Sequence, residues 1–159
     1  MNTTEKVLLR ESLKICTIHA NRIQSALNKI EHLYPFTEKT VTDINTEDLA
    51  FLDVLTTRFC KLQDTLGEKV FTLLLESLGE LVMNKSFIDK LNKLEKIEIL
   101  PSADWWQDLR RLRNVLTHEY PDDPAFIAEN LNNAFIQAKK LLHFWEHLNA
   151  HTKANVLKD

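Results

Sequence analysis

Apolar residues recur along most of the chain at alternating spacings of three and four, the period that places them on one side of an α-helix. Residues 4–34 carry the first such seam, and residues 47–82 carry the second. A shorter amphipathic segment covers residues 86–99, and two further seams follow Pro101 and Pro124. The pattern therefore predicts four main helices and one short additional helix.

The predicted helix ends carry their own signals. Thr46, followed by two acidic residues, is predicted to cap the second helix, and Ser102 is predicted to cap the third. Asp123 precedes Pro124, and proline suits the first position of a helix, so the last helix is predicted to begin there. The polar tail after Ala150 is predicted to fray.

The predicted fold class is all-α, an antiparallel four-helix up-and-down bundle with the short helix as an addition. Short connections favour neighbouring antiparallel helices. The chain has 159 residues with only two glycines and four prolines, which disfavours β-sandwiches, barrels and glycine-loop nucleotide folds. Neither an internal repeat nor a long linker divides it, so one domain is expected over residues 1–159, with a frayed tail at about 151–159.

The charge and the cysteine content of the chain argue against several classes of function. Twenty Lys and Arg residues against 23 Asp and Glu residues give a net charge of −3, which argues against a generally basic nucleic-acid coat or a polybasic membrane binder. No apolar run approaches the roughly 20 residues of a membrane span, and the N-terminus has no apolar signal core, so a cytoplasmic protein without a membrane partner is expected. Cys16 and Cys60 are predicted to be buried packing thiols, because they are far apart and form no CxxC motif.

The densest group of chemically active side chains lies in residues 104–121, on the predicted third helix. Residues spaced by three, four or seven share one face of a helix. One face and its neighbouring stripe thus gather guanidinium, amide, hydroxyl, imidazole and phenol groups: Arg110, Arg113, Asn114, Thr117, His118 and Tyr120.

These groups meet the minimum for cleaving RNA without a metal. Arginine offers a fixed cationic fork for phosphate, and histidine moves protons near neutral pH. A base takes the proton of the 2′-hydroxyl, which then attacks the adjacent phosphate while the cation stabilises the developing charge. No carboxylate cage for magnesium is evident nearby, so neither a metal nor a cofactor is expected. From spacing alone, a structural role for Arg113 and His118 is the simpler interpretation.

The segment LRRLRNVLTHEYPDDP resembles the HEPN domain family, in particular HepT-type toxins and the related substrate-binding partners of minimal nucleotidyltransferases. Arg113, His118 and Tyr120 match the family signature Arg-x4-His-x-Tyr, and Asn114 is the polar residue that the family has directly after the arginine. The specific match covers about residues 100–124. The long helices on either side are compatible with a HEPN bundle over the whole chain.

The resemblance implies a metal-independent endoribonuclease that acts as a homodimer on tRNA or mRNA, with the two protomers' sites meeting across the interface. Arg113 would bind the scissile phosphate, and His118 would act as general base or acid. Asn114 would position the phosphate or the imidazole. Tyr120 would accept AMP from a cognate nucleotidyltransferase antitoxin, which would block the site with a negative phosphate.

Two alternatives to a toxin remain open at the level of sequence. Some HEPN relatives are known only as partners of a nucleotidyltransferase, so the chain is alternatively a non-catalytic substrate-binding subunit. The second alternative is a purely structural helical dimer in which Arg113 and His118 fix the packing.

Neighbouring residues have simpler interpretations. Arg110 is a candidate RNA-binding residue, whereas Arg111 is expected to be solvated and paired with an acidic neighbour. Of the two adjacent tryptophans, Trp105 is predicted to face the core, and Trp106 is predicted to be partly exposed or to lie at a dimer interface.

Three further sets of polar residues lie outside this cluster. The lysines of residues 85–96 are predicted to form a solvated helix face. Histidines recur at spacings of four near the end of the last helix, at residues 143, 147 and 151, and are predicted to form a surface stripe rather than a metal site. Asp53 and Arg58 are each able to reach the Arg113 site in a bundle.

Overall fold

The computed structural model describes residues 1–118 and 122–158, and these residues contain helices and connecting turns but no strand. The all-α prediction is confirmed. The α-helices are α1 (Thr3–Ile30), α2 (Glu38–Thr42), α3 (Thr46–Thr65), α4 (Phe71–Ser77), α5 (Phe87–Lys96), α6 (Ala103–Thr117) and α7 (Pro124–Asn155). A 3₁₀ turn, Glu31–Leu33, continues α1, and a π turn, Leu66–Val70, joins α3 to α4.

The helix starts follow from local side-chain hydrogen bonds. Ser102 caps α6 and accepts a hydrogen bond from the Trp105 amide at 3.1 Å, and Asp123 caps α7, both as predicted. The cap of α3 is Asn45 rather than Thr46, because the Asn45 side chain accepts the Asp48 amide at 2.8 Å. Asparagine ranks above threonine as a helix cap, so the observed cap agrees with the general preference.

The second helical segment is shorter than the sequence predicts. The predicted helix runs to residue 82, whereas α4 ends at Ser77. Gly79 follows in the left-handed region with φ of 78°, a conformation that terminates a helix and that glycine adopts without strain. The next residues form the connection to α5, in which Leu81 and Met83 are exposed.

The core is one apolar cluster to which every long helix contributes. Helix α1 packs against α3 and α7, and α6 packs against α3, α5 and α7. Trp106 is fully buried against Phe71 and Phe144, whereas Trp105 is half-buried and its indole N–H donates to Gln137 Oε1 at 2.9 Å. The prediction for the two tryptophans was therefore wrong. Gly67 in the π turn lies beside the Trp106 ring.

The segment predicted to fray, at about 151–159, begins within α7. Helix α7 continues to Asn155, and Thr152 is fully buried with its hydroxyl donating to the Leu148 carbonyl at 2.7 Å. The Lys6 ammonium of α1 donates to the Lys158 carbonyl at 3.4 Å. Contacts with α1 thus hold this segment. Among the described helices, none has the length and apolarity needed to cross a membrane.

Candidate functional site

Arg113 of α6 forms a two-bond ion pair with Asp64 of α3. The Arg113 Nε donates to Asp64 Oδ1 at 3.0 Å, and Nη2 donates to Oδ2 at 2.9 Å. Each side chain is 32% exposed. The hydrogen bond to Asp64 is the main cause of a raised Arg113 pKa, and it outweighs partial burial, which acts in the opposite direction. The guanidinium is therefore charged and is held in one orientation.

This pairing leaves one edge of the guanidinium available. A guanidinium has five N–H donors in a planar fork, and the side-on pair with Asp64 uses only the Nε and Nη2 side. The remaining Nη1 nitrogen donates a long hydrogen bond of 3.4 Å to Thr117 Oγ1. The Nη1–Nη2 edge has the shape that binds two oxygens of a phosphate. The chemistry of an anion site is thus present on an open part of α6.

The last turn of α6 places His118 differently from the sequence expectation. The helix ends at Thr117, whose hydroxyl donates to the Asn114 carbonyl at 3.1 Å. His118 is extended, with φ of −87° and ψ of 150°, so it does not continue the helical stripe of Asn114. Both side chains are exposed, and within the described residues neither forms a side-chain hydrogen bond. The imidazole and the amide are therefore accessible to a ligand.

Arg110 and Arg111 precede Arg113 in the sequence of α6, and both are exposed. The Arg110 guanidinium carbon lies 4.3 Å from the centre of the Phe87 ring, so α5 positions this exposed cation through a cation–π contact. Arg111 forms an exposed ion pair with Asp108, as predicted. Tyr120 lies outside the described residues.

Two residues predicted to be able to reach the site do not contact it. Arg58 instead donates from Nη1 to His19 Nδ1 of α1 at 3.1 Å, and Asp53 is exposed on α3. Asp64, by contrast, was missed by the sequence analysis. Its position one turn after the buried Cys60 is a weak signal, because spacing along α3 does not show which helix packs there.

The other polar stripes are accounted for by local contacts. Glu80 pairs with Lys93 at 2.8 Å and with Lys85 at 3.4 Å, which explains much of the lysine-rich face. The three histidines of α7 are exposed and line a groove of about 1290 Å³ with Trp105 and Phe144, away from Arg113. The His143 and His147 rings lie 4.5 Å apart. Within residues 1–118 and 122–158, no set of three or more metal-ligating side chains converges.

Comparison of the chain with protein-family models, curated proteins and solved structures found no match. The chemical function of the site is therefore inferred from its own side chains. It combines an oriented cation at Arg113, an exposed imidazole five residues later at His118 and an exposed amide at Asn114. These groups suit a phosphodiester that carries a neighbouring hydroxyl.

Proposed function

We propose that the protein is a metal-independent endoribonuclease, the toxin half of a HEPN/nucleotidyltransferase toxin–antitoxin pair. The observation that carries the proposal is the fixed Arg113 guanidinium, which Asp64 holds through Nε and Nη2 while Nη1 makes only a long hydrogen bond of 3.4 Å to Thr117. An exposed His118 follows at the end of the same helix. The resemblance of Arg113, His118 and Tyr120 to the HEPN signature supports the same assignment.

In this proposal the helices form a HEPN-like antiparallel four-helix up-and-down bundle. The four members are α1, α3 continued by α4, α6 and α7, with α5 as the added short helix. The helix contacts support this arrangement, because α1 and α6 each pack against both α3 and α7. The site then lies on the α3–α6 side of the bundle.

The proposed reaction cleaves the RNA backbone by attack of a 2′-oxygen on its own neighbouring phosphate, which releases the 5′-oxygen. The scissile phosphate binds the Nη1–Nη2 edge of Arg113, and Asn114 orients the phosphate or the imidazole. His118 takes the proton of the 2′-hydroxyl, the 2′-oxygen attacks phosphorus, and the 5′-oxygen leaves with a proton from the second protomer's imidazole. The products are a 2′,3′-cyclic phosphate and a 5′-hydroxyl. Arg110 adds a second cationic contact to the RNA backbone.

The proposed partners are a second copy of the chain, an RNA such as tRNA or mRNA, and a nucleotidyltransferase antitoxin in the cytoplasm. The antitoxin transfers AMP from ATP to the Tyr120 hydroxyl and releases pyrophosphate. The added phosphate is negative and bulky, so it repels an RNA phosphate from Arg113. Incubation with the antitoxin and ATP should add the mass of AMP to the wild type, and Tyr120→Phe should abolish the addition.

An RNA cleavage assay in excess EDTA tests the activity. Wild type, verified by mass to carry no AMP, should cleave tRNA or total RNA and leave cyclic phosphate ends. His118→Ala should lose at least about a hundredfold in rate, the range for removal of a general base. His151→Ala, which removes an exposed histidine of α7, is the matched control and should cleave normally. Equal cleavage by wild type and His118→Ala would overturn the proposal.

The occupied edge of Arg113 also favours a second candidate function. Because Asp64 offsets much of the Arg113 charge, the same surface suits a non-catalytic subunit that binds a nucleotidyltransferase and its substrate. A folded, unmodified wild type that cleaves no RNA, but loses nucleotidyltransferase binding in Arg113→Ala, would support this subunit. Loss of folding or of self-association in Arg113→Ala would instead support the structural dimer.

A further inference from the structure

A groove of about 1290 Å³ follows the surface of α7, and Arg113 is not among the residues that line it. One wall, the α7 groove's first side, is formed by residues 139–151 of α7. The opposite wall is formed by Leu78 and Glu80 after α4, by residues 97–101 between α5 and α6, and by Trp105. Residues 139–151 rise about 18 Å along the helix, so the α7 groove has room for an extended molecule.

The middle of the α7 groove is apolar. Phe144 lies on the α7 side, and Ile97 and Ile99 lie on the opposite wall, where they are only partly buried. Trp105 contributes ring surface, because its indole N–H already donates to Gln137 at 2.9 Å. A concave site with apolar walls and a few polar groups at its edge is typical of small-molecule sites in proteins.

The α7 edge of the groove carries cationic and hydrogen-bonding side chains. Lys139 and Lys140 are exposed at one end of this edge, and neither forms an ion pair with a residue in the described part of the chain. The exposed histidines at positions 143, 147 and 151 continue along the same edge, and an imidazole N–H donates hydrogen bonds to a carboxylate. The groove thus combines apolar walls with a cationic end.

The two carboxylates that line the α7 groove do not cancel this charge. Glu80 pairs with Lys93 at 2.8 Å and with Lys85 at 3.4 Å, and neither of these lysines lines the groove. Glu98 forms no ion pair within the described residues, and it is the one lining carboxylate left to oppose the two lysines of α7. The charge of the lining therefore favours an anionic ligand over a cationic one.

We infer that the α7 groove binds a free fatty acid, with its carboxylate at Lys139 and Lys140 and its acyl chain over Phe144 and Trp105. A compact anion would leave the apolar walls in contact with water, whereas a methylene chain covers them. The two lysines are adjacent in the sequence, so they suit one anionic head better than the several charges of an acidic helix. The inference is independent of the proposed ribonuclease.

A series of ligands tests the two parts of the α7 groove. Binding to the full chain is measured by calorimetry below the micelle concentration and by tryptophan fluorescence. From octanoate to decanoate to dodecanoate, the Kd should fall about fourfold for each methylene that becomes buried. Decanol has an apolar chain of the same length without the charge, and it should bind at least about tenfold more weakly than decanoate. Equal binding of decanoate, decanol and the cation decyltrimethylammonium would overturn the inference.

Charge reversal tests the cationic end. Lys140→Glu should raise the Kd of decanoate at least about tenfold, because the new carboxylate repels the head group. Lys153→Glu is the matched control: it makes the same change of net charge at an exposed lysine of α7 outside the groove. It should leave the Kd within about twofold of the wild type. Equal effects of the two substitutions would contradict the assigned position of the carboxylate.

A second pair of variants tests the apolar wall. Leu78 lines the groove and is 54% exposed, so Leu78→Glu places a charge beside the acyl chain without disturbing the core. It should raise the Kd of decanoate at least about tenfold. Leu81→Glu, at a residue that is 82% exposed and outside the lining, should bind decanoate as the wild type does. Circular dichroism confirms that each variant is folded.

Other occupants of the α7 groove give a different result. If a second copy of the chain fills it, decanoate will not bind and Leu78→Glu will weaken self-association in sedimentation, which overturns the inference. Decanoate binding that all four variants retain would be non-specific adsorption and would overturn it as well. Saturable decanoate binding by a protein that cleaves no RNA would keep this site and remove the ribonuclease, and RNA cleavage by a protein that binds no decanoate would do the reverse.

Discussion

Asp64 and Arg113 are 49 residues apart in the chain and are joined by two hydrogen bonds of 3.0 and 2.9 Å. The pair connects α3 to α6, the helix that His118 directly follows. It distinguishes Arg113 from Arg110 and Arg111, neither of which is held by a second helix through two bonds. Asp64 therefore acts as a positioning residue for the guanidinium.

Removing the charge of Asp64 should release that guanidinium. Asp64→Asn should lower the free energy of unfolding by only about 0.5–1.5 kcal/mol, because the pair is one-third exposed and is screened by solvent. In the proposed ribonuclease, kcat should fall more than KM changes, because the oriented cation is needed most in the transition state. Urea denaturation and initial rates, recorded where both proteins are folded, measure the two effects.

Asp53→Asn is the matched control for Asp64→Asn. Asp53 is an exposed carboxylate on the same helix, so its replacement should change stability by no more than about 0.5 kcal/mol and leave kcat unchanged. If the two variants behaved alike, Asp64 would have no positioning role.

His19 should make stability depend on pH. Burial, together with the charges of Arg58 and Lys61, lowers the pKa of His19 below its ordinary value of 6.5. The unfolded chain then binds more protons below about pH 6.5, so the free energy of unfolding falls as pH decreases from 6.5 through the folded-state pKa. The hydrogen bond from Arg58 also favours the neutral imidazole of His19. A guanidinium only donates, so His19 Nδ1 must be unprotonated in order to accept.

Urea midpoints between pH 5 and pH 8 measure this dependence. His19→Gln should flatten the fall in stability on the acid side, and Lys61→Met should reduce it in part by removing one cation. His151→Gln, at an exposed position on α7, controls for the substitution itself. A wild type and a His19→Gln variant with the same slope would contradict the prediction.

The two cysteines should be unreactive in the folded protein. Burial raises the pKa of Cys16 to about 12 and contributes most to a Cys60 pKa of about 11. Little thiolate is then present at neutral pH, and the thiolate is the reactive form. Labelling with Ellman's reagent should be slow without denaturant and complete in urea. Rapid labelling of either thiol in the native protein would show that its helix opens readily.

Local patterns were sufficient for most of the fold. The seams of α1, α6 and α7 follow from the helical period, and the caps Ser102 and Asp123 follow from side chains that bond within three residues. Such information is contained in neighbouring positions of the sequence. The prediction of Thr46 as the cap of α3 was wrong, because the preceding Asn45 is the stronger cap and accepts the Asp48 amide.

The missing parts depend on contacts between distant residues. Nothing near Arg113 in the sequence identifies Asp64 as its partner. Trp106 packs against Phe71 of α4 and is fully buried, and the spacing within α6 does not contain that contact. His118 follows the last helical residue, so its direction is not given by the helical period.

The backbone conformation of Glu98 should lower the free energy of unfolding. It lies after α5 with φ of 61°, where the amides of Ile99 and Leu100 both donate to the Leu94 carbonyl at 3.0 and 3.1 Å. This helix ending requires a left-handed residue, usually glycine, and a Cβ atom there is unfavourable. Glu98→Gly should therefore raise the free energy of unfolding by about 1 kcal/mol.

Glu98→Ala separates the backbone effect from loss of the carboxylate. Alanine keeps the Cβ atom, so this variant should remain within about 0.5 kcal/mol of the wild type. Urea denaturation of the three proteins under one condition provides the comparison. Equal gains from glycine and alanine would assign the effect to the charge of Glu98, whereas a loss with glycine would show that the side chain stabilises this turn more than its φ angle costs.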